Sequence, residues 1–301
     1  MLIAQKIGKA LRNPRRAVRF AVGKLKETLL WELYYARLRP PKVRAPVPHD
    51  AETHAAIVGE LKSNGFDVAA LVIDVSDYRA YLDKAQYASF PDYFCGGTGP
   101  GFAEKSLEHY LAARVLRLSR DDVYVDVASL ASPAPEIYQR LYGCTVYRQD
   151  LIYPRGLHGN VIGGDAGEMP VEDGFATKMA LHCSFEHFEQ DSDVRFIREA
   201  ARVLRVGGKL CIIPLYLFTA YAIETNPLLL PRRGMSFETD AVLYCRRGSS
   251  HWHGRFYDIP HLAARVRNAL NGLQLTILVA QNAKEVDPGC YLRFIALFEK
   301  P

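Results

Sequence analysis

Two short segments bring together side chains that suit acid–base chemistry or recognition of a polar ligand. The segment 182-HCSFEH-187 holds two histidines and a glutamate, and 251-HWHGRFYD-258 holds two more histidines beside an arginine and aromatic rings. Because histidine changes its charge near neutral pH and can take a proton from a hydroxyl group, His187 and His253 are the candidate general bases. For His187 the alternative is ligand contact without proton transfer. Neither segment has the spacing of a zinc motif such as HExxH, so no metal site is predicted.

The second segment also has the composition of a sugar-binding loop. If it is extended, alternation places its two histidines and its arginine broadly on one side. Aromatic faces suit the apolar face of a sugar ring, and a guanidinium suits a phosphate or carboxylate. The sequence therefore predicts four substrate-binding residues: His251, Trp252, Arg255 and Tyr257. The alternative is a structural loop in which Arg255 pairs with Asp258 and Trp252 packs in the core.

Alternating strands and helices are predicted to position these groups. Strands are predicted at 123–127, 144–148, 160–163, 176–182, 209–214, 273–280 and 290–299, and helices at 77–87, 103–117, 134–142, 191–205 and 260–271. Ser76 and Asp77 are the predicted caps of the first of these helices. The alternation indicates a mostly parallel sheet with helices on both faces. Because only a loop joins the last two strands, they are expected to pair antiparallel at one edge.

Acidic residues stand at or near the ends of three of these strands: Asp126, Asp150 and Asp165. Ligands of open α/β sheets bind at the carboxyl ends of the strands, so these side chains are expected to converge. The loop after the first strand, 128-ASLASPAP-135, lacks the glycines that usually allow close approach to a ligand. Alanine and serine are small, and Pro133 and Pro135 fall near a helix start, so the loop is expected to stay open to a ligand.

The most specific pattern lies in 164-GDAGEMPVEDGFATKMALHCSFEHFEQDSDVRFIREAARVLRVGGKLCIIP-214. Its Gly-Asp-Ala loop, its strand ending near Glu-His and its helix ending Arg-Val-Leu-x-x-Gly-Gly-Lys resemble class I S-adenosylmethionine-dependent methyltransferases of the small-molecule type. The likeness extends over about residues 103–299. It implies a Rossmann-like, mostly parallel seven-stranded sheet with an antiparallel last strand pair, and S-adenosylmethionine as cofactor.

The resemblance also implies seven cofactor-binding residues: Asp126, Ala128, Ser129, Asp150, Asp165, Ala166 and Ser184. Asp150 would accept from the ribose hydroxyls, and Asp165 from the adenine amino group beside the N–H of Ala166. The residues from 126 to 129 would face the methionine portion. The alternatives are a solvated turn at Asp150 and an Asx turn at Asp165.

The basic charge of the chain is concentrated at its N-terminus. Residues 1–45 hold 12 Lys/Arg and 2 Glu, about +10, whereas the other 256 residues hold 26 Lys/Arg and 31 Asp/Glu, about −5. A net acidic remainder argues against nucleic acid as a partner. Residues 14–39 are predicted to form a helix with one apolar stripe (Val18, Val22, Leu25, Leu29, Leu33, Ala36). This stripe could pack on protein, including a second subunit of a homo-oligomer, or lie on an anionic membrane surface.

The predicted organisation is a basic helical extension (1–45), a cover segment (46–102) and a methyltransferase-like domain (103–301) with an apolar insertion at 214–258. No pair of the six cysteines has CxxC spacing, and no secretory signal is evident, so a cytoplasmic protein, peripheral at the inner face of the membrane, is expected. The chain resembles bacterial surface-polysaccharide methyltransferases. This resemblance implies O-methylation of a saccharide or lipid-linked glycan. The alternatives are a scaffold that does not methylate, or another glycan-related transfer on the same fold.

Overall fold

The computed structural model describes residues 22–23, 25–33, 36, 50–226, 228–229, 237–247 and 251–301. The chain divides into two compact units: Met1–Pro46 with Ala222–Gly254, and Val47–Tyr221 with Arg255–Pro301. We call them the small unit and the sheet unit. In the described part of the chain, no helix has the length and apolar character needed to cross a membrane.

The strands, numbered from residue 50, are β1 Asp67–Leu71, β2 Val123–Val127, β3 Thr145–Asp150, β4 Gly156–His158, β5 Val161–Gly163, β6 Ala176–His182, β7 Leu204–Ile213, β8 Ala222–Thr225, β9 Val242–Cys245, β10 Gly254–Phe256, β11 Gln274–Ala280 and β12 Phe294–Glu299. The helices are α1 Ala51–Ser63, α2 Val75–Ala85, α3 Phe102–Leu116, α4 Ala134–Tyr142, α5 Ser192–Val203, α6 Ile259–Arg265 and α7 Ala283–Val286, and a short, kinked helical turn lies at Phe94–Gly97. Single 3-10 turns lie at Tyr87–Ser89, Phe185–His187 and Arg267–Ala269.

The sheet unit is built on a nine-stranded sheet in the order β1-β11-β12-β7-β6-β2-β3-β5-β4. Strands β2, β3, β5, β6 and β7 run parallel, and β12 is antiparallel to both β7 and β11. This confirms the mostly parallel sheet and the antiparallel last strand pair. The sheet has nine strands where seven were expected, because β1 and β4 extend its two edges.

The strand order reverses between β2 and β6. From β2 the chain proceeds to β3 and β5 on one side, and β6, β7 and β12 fill the other side. Such a switch point opens a crevice at the carboxyl ends of the strands. The residues that directly follow β2, β3, β5 and β6 therefore stand at one edge of the sheet.

Several local expectations changed in the structure. Helix α2 begins at Val75, and Asp74 caps it by accepting from Asp77 N at 2.9 Å, so Ser76 and Asp77 lie inside the first turn. The glycine pair 207–208 lies within β7, although the predicted strand began only at residue 209. Strand β7 pairs with β6 from Leu204 onward, with a shift of register before Lys209. Helix α4 begins at Ala134 with Pro133 as its N-cap, so both prolines of the loop fall where N–H groups are expendable.

A continuous apolar core lies between the sheet and the helices α2, α3 and α4. Its fully buried members include Leu107, Leu111, Tyr124, Ile137 and Tyr138. Burial of this kind supplies the main favourable term in folding. It fixes α3 and α4 against the central strands, and hence fixes the residues at their ends.

The small unit contains the part of the predicted 14–39 helix that the structure describes. Residues 22–23, 25–33 and 36 are helical, which confirms the helix there; the rest of the range lies outside the described residues. Trp31 is buried, whereas four residues of the apolar stripe are 59–63% exposed: Val22, Leu25, Leu29 and Leu33. In the same unit, β8 and β9 pair in parallel.

Candidate functional site

The loop after β2 has two non-glycine residues in the left-handed backbone conformation that usually favours glycine. Ala128 has φ 51° and Leu130 has φ 40°, both in the left-handed region. Ser129 N donates to the carbonyl of Gln149 at 3.0 Å, and Ala128 N donates to Oε1 of the same glutamine at 3.2 Å. Left-handed backbone costs a non-glycine residue roughly 1–2 kcal/mol, so β3 holds the loop in a strained shape.

Asp150 ends β3 and stands directly beside that loop. Its Oδ2 accepts from Leu130 N at 2.8 Å and its Oδ1 accepts from Ile152 N at 3.1 Å. A carboxylate can accept about four hydrogen bonds, so each oxygen keeps capacity for a further donor. The structure therefore places Asp150 beside the loop after β2, with acceptor capacity left on both oxygens.

An exposed apolar surface surrounds Asp150, and the sequence did not predict it. Leu130, Leu151 and Ile152 are 62%, 73% and 61% exposed. Apolar residues in a predicted turn were the signal that could have revealed it. Such a surface suits the flat, weakly polar face of a base next to a ribose.

Asp165 follows β5 and forms both a turn and an ion pair. Its Oδ1 accepts from Gly167 N at 2.7 Å, which makes the Asx turn, and its Oδ2 accepts from Arg195 at 2.8 Å. Burial raises the pKa of Asp165, but the Gly167 N–H and the Arg195 guanidinium outweigh it, and the net pKa is lowered. The carboxylate is therefore an ionised acceptor, and the neighbouring Ala166 is buried.

Asp126 and Ser129 present buried acceptor atoms at the end of β2. Asp126 is 1% exposed and Ser129 is 5% exposed. Asp126 Oδ2 and Ser129 Oγ have no hydrogen-bond partner in the described part of the chain. A buried polar atom without a partner costs about 1–3 kcal/mol, so both atoms fit a ligand that donates hydrogen bonds.

The segment after β6 holds the first predicted base and a serine of the implied cofactor site. Ser184 precedes the 3-10 turn Phe185–His187, and its buried Oγ has no hydrogen-bond partner among the described residues. The His187 side chain is 30% exposed, with Nε2 at 3.6 Å from Glu186 Oε1. His187 therefore lies at the sheet edge where an acceptor could reach it.

A buried ionic cluster from α3 lies next to this segment and was missed by the sequence. Lys105 Nζ lies 2.6 Å from Glu108 Oε1, and Cys183 Sγ donates to Glu186 Oε1 at 3.2 Å. The Glu108 side chain is fully buried, and burial raises its pKa to about 8. The helix 103–117 was predicted, but nothing in its sequence indicates that its polar residues face inward.

Arg255 and Tyr257 lie in a buried network centred on Asp193. Asp193 Oδ2 accepts from Tyr257 Oη at 2.5 Å and lies 3.0 Å from Arg255 Nη1, and Arg265 donates to both carboxylate oxygens at 2.7 and 2.9 Å. The side chains of Asp193 and Arg255 are both 0% exposed. This placement resembles the structural alternative, except that Arg255 pairs with Asp193 in place of Asp258.

The other three residues of that segment belong to the small unit. His251 is exposed, Trp252 is half-buried and His253 is 2% exposed. The carbonyls of His251 and Trp252 accept from Asn226 N and Thr225 Oγ1 at 3.1 and 2.6 Å. Of the predicted substrate-binding residues, His251 and Trp252 are thus the accessible ones. The predicted base His253 lies in the interior.

Taken together, the donors and acceptors at the sheet edge fit S-adenosylmethionine. Carboxylates stand at the end of β3 and after β5, and at the end of β2 lie two buried oxygens that have no hydrogen-bond partner in the described part of the chain. The apolar surface beside Asp150 suits the adenine ring. No group of three His, Cys, Asp or Glu side chains in the described ranges could hold a metal ion.

Residues 94–212 match the protein family described as "Methyltransferase domain". This match covers the strands β2, β3, β5 and β6 and most of β7. With the strand order, it identifies the sheet unit as a Rossmann-like class I methyltransferase fold and S-adenosylmethionine as its cofactor. It supports an S-adenosylmethionine-dependent methyltransferase. No curated protein sequence matches the chain.

Several solved structures are similar to this chain at low identity. One is Burkholderia thailandensis 1,6-didemethyltoxoflavin-N1-methyltransferase with 1,6-didemethyltoxoflavin and S-adenosylhomocysteine bound (14% identity, 77% of this chain, 92% of that chain, TM-score 0.45). Another is Streptomyces venezuelae DesVI (13% identity, 71% of this chain, 98% of that chain, TM-score 0.43). A third is the PH0226 protein of Pyrococcus horikoshii (14% identity, 64% of this chain, 87% of that chain, TM-score 0.41).

Proposed function

We propose that this protein transfers the methyl group of S-adenosylmethionine to a hydroxyl oxygen of a saccharide or lipid-linked glycan. The observation that carries the proposal is the convergence of Asp126, Asp150 and Asp165 around the loop after β2, at the carboxyl edge of the sheet. In this proposal, the three carboxylates would accept hydrogen bonds from different parts of the cofactor.

The residues of this chain would mainly position the reactants and accept a proton. Bound S-adenosylmethionine supplies an electrophilic methyl group. Asp150 and Asp165 would bind the ribose and the adenine and would so hold the cofactor in one position at the carboxyl edge of the sheet. His187 would take the hydroxyl proton of the acceptor as the new oxygen–carbon bond forms and the sulfur–carbon bond breaks. His187 is favoured over His253, which is 2% exposed.

The exposed apolar stripe of the small unit supports a lipid-linked acceptor. Val22, Leu25, Leu29 and Leu33 are 59–63% exposed on one helix, in a segment that carries about +10 charge over residues 1–45. Each basic residue near an anionic surface contributes about 1 kcal/mol to binding. Such a helix would hold the protein peripherally at the inner face of a membrane, where lipid-linked glycans are assembled.

One observation favours a second candidate, a scaffold that binds but does not methylate. Both oxygens of Asp150 and both oxygens of Asp165 already accept from groups of this chain: Leu130 N, Ile152 N, Gly167 N and Arg195. In a scaffold, these contacts would close the cleft permanently. In the enzyme, they would coexist with the cofactor through the remaining lone pairs.

Calorimetric titration with S-adenosylmethionine and S-adenosylhomocysteine separates the two candidates. Micromolar binding that Asp165→Ala abolishes and Asp83→Ala preserves is expected for the enzyme; Asp83 is an exposed aspartate on α2. No binding at millimolar ligand would favour the scaffold. Transfer of labelled methyl groups from the cofactor into a glycolipid extract, and loss of that transfer in His187→Ala, would then test the acceptor and the base.

Vesicle sedimentation tests the membrane contact. The full chain should sediment with anionic vesicles, and the double variant Leu25→Ser/Leu29→Ser should lose that binding because it removes exposed apolar area. Glu32→Ser, an exposed position on the same helix, is the matched control and should retain it. Equal sedimentation of all three proteins would exclude this stripe as the lipid contact.

A further inference from the structure

Two side chains contact one carboxylate oxygen of Asp126, and its other oxygen has no hydrogen-bond partner among the described residues. Oδ1 accepts from Tyr124 Oη at 2.8 Å and lies 3.0 Å from His182 Nδ1. Oδ2 is buried and has no partner among the residues that the structure describes. Both side chains contact the same oxygen, so Oδ1 is the atom of Asp126 that the protein holds.

His182 itself is locked in place by its surroundings. It ends β6, its side chain is 6% exposed, and its Nε2 lies 3.3 Å from Tyr138 Oη. The Tyr138 hydroxyl donates to the carbonyl of His109 at 2.6 Å. The His109 ring packs edge-on against the His182 ring at 4.8 Å and 80°. A ring held on three sides has one orientation, and that orientation aims Nδ1 at Asp126.

Two buried oxygens without a hydrogen-bond partner in the described part of the chain indicate the kind of ligand that this site can bind. Asp126 Oδ2 stands beside the start of the loop that also contains the buried, unpartnered Ser129 Oγ. A carboxylate oxygen accepts most strongly from a cationic donor, and a serine oxygen can also accept from one. The α-ammonium group of S-adenosylmethionine is a cationic N–H donor, whereas the donors of its adenosine portion are neutral.

We propose that His182 is a positioning residue: by holding Asp126 Oδ1, it leaves Oδ2 aimed to receive the α-ammonium group of the cofactor. This inference rests on the proposed function, since it assigns a role within the same cofactor site. It goes beyond that function by adding His182, which acts through its contact with Asp126. It also assigns the ammonium to one atom of Asp126.

Two ligands that differ in the amino-acid tail test this role. S-adenosylhomocysteine carries the ammonium group, and 5′-methylthioadenosine lacks the whole amino-acid portion. In calorimetric titrations of the full chain, His182→Leu should weaken S-adenosylhomocysteine roughly 10- to 100-fold, since a charged hydrogen bond is lost. It should leave 5′-methylthioadenosine within about twofold of the wild type.

Three further variants separate positioning from folding. His182→Asn keeps a donor near the place of Nδ1 and should recover most of the lost affinity. Asp126→Asn should reproduce the selective loss, and its combination with His182→Leu should add little, because both act on one contact. Tyr81→Phe, which removes a 3.2 Å contact to Tyr87 in the same tyrosine-rich core, should change neither ligand. If His182→Leu does not fold, His182→Asn and Asp126→Asn carry the test.

The outcomes also distinguish this inference from the proposed function. Equal weakening of both ligands, or weakening of neither, while the wild type binds both, would overturn the role of His182 alone. A wild type that binds neither ligand would overturn the cofactor assignment and this inference with it. Selective loss of S-adenosylhomocysteine with recovery in His182→Asn would establish the positioning role.

Discussion

Replacing Asp193 by asparagine should unfold the sheet unit far more easily than replacing an exposed aspartate. Asp193 faces Arg255, Arg265 and Tyr257, and both Asp193 and Arg255 have fully buried side chains. Asp193→Asn keeps the shape and removes the charge, so the ion pairs that Asp193 makes with Arg255 and Arg265 are lost. Breaking a buried ion pair in this way costs about 3–5 kcal/mol.

The pH dependence of this loss follows from the same contacts. Burial raises the pKa of Asp193, but Arg265, Arg255 and Tyr257 together outweigh it and hold the pKa below its usual value. A carboxyl with a lowered folded-state pKa stabilises the protein above its unfolded pKa, and this contribution disappears as the pH falls through the folded pKa. The wild type should therefore lose stability in acid, and Asp193→Asn should lose less of it.

Urea unfolding at pH 7, followed by fluorescence, measures the effect. Asp193→Asn should lower the unfolding free energy by about 3–5 kcal/mol, or roughly 6–20 °C in Tm at about 2–4 °C per kcal/mol. The control Asp173→Asn removes an ion pair to Arg202 whose aspartate is 83% exposed, and should cost at most about 1 kcal/mol.

A compensating variant sharpens the argument. Adding Arg255→Met to Asp193→Asn also removes the buried guanidinium that paired with Asp193, so part of the stability should return. If Asp193→Asn instead unfolds like the wild type and only methyl transfer is lost, the buried network is not structural. The sequence-based prediction that Arg255 and Tyr257 bind substrate would then stand.

Three further perturbations have defined outcomes. Ala128→Gly should raise the unfolding free energy by about 0.5–1 kcal/mol, because relief of the left-handed strain exceeds the entropic cost of glycine; a measured loss in urea would contradict the strain. Glu108 has a folded pKa of about 8 against an ordinary 4.5, so the wild type should lose stability as pH rises from 5 to 8, by up to about 1.36 kcal/mol per pH unit. Glu108→Gln should flatten that slope, and an unchanged slope would place the titration elsewhere. Asp150→Ala should weaken S-adenosylhomocysteine at least about 10-fold by calorimetry through lost ribose hydrogen bonds, and unchanged affinity would remove Asp150 from the site.

The sequence identified the elements of the sheet unit because their periodicity is local. The β6 strand and the α4 helix have the predicted bounds, and the Gly-Asp-Ala loop after β5 carried the family resemblance. Asp150 and Asp165 were placed at strand ends from the same pattern. A parallel sheet brings the carboxyl ends of its strands to one edge, so their convergence followed from strand order alone.

The sequence could not decide which polar side chains face the interior. Glu108 and Asp193 lie on helices whose neighbours are charged, and the burial of both depends on segments distant in the chain. His182 was overlooked beside His187, since only packing against His109 and Asp126 distinguishes a locked ring from an accessible one.

Residue types and their spacing therefore predicted the fold class and the acidic residues at the carboxyl edge of the sheet. Tertiary structure decided which groups are paired. It buried Arg255 against Asp193, and it brought His182 of β6 to Asp126 Oδ1. Asp126 Oδ2 is buried and has no hydrogen-bond partner among the described residues. The reason is physical. Strand and helix formation depends on near neighbours, whereas burial and pairing of charge depend on contacts between residues tens of positions apart.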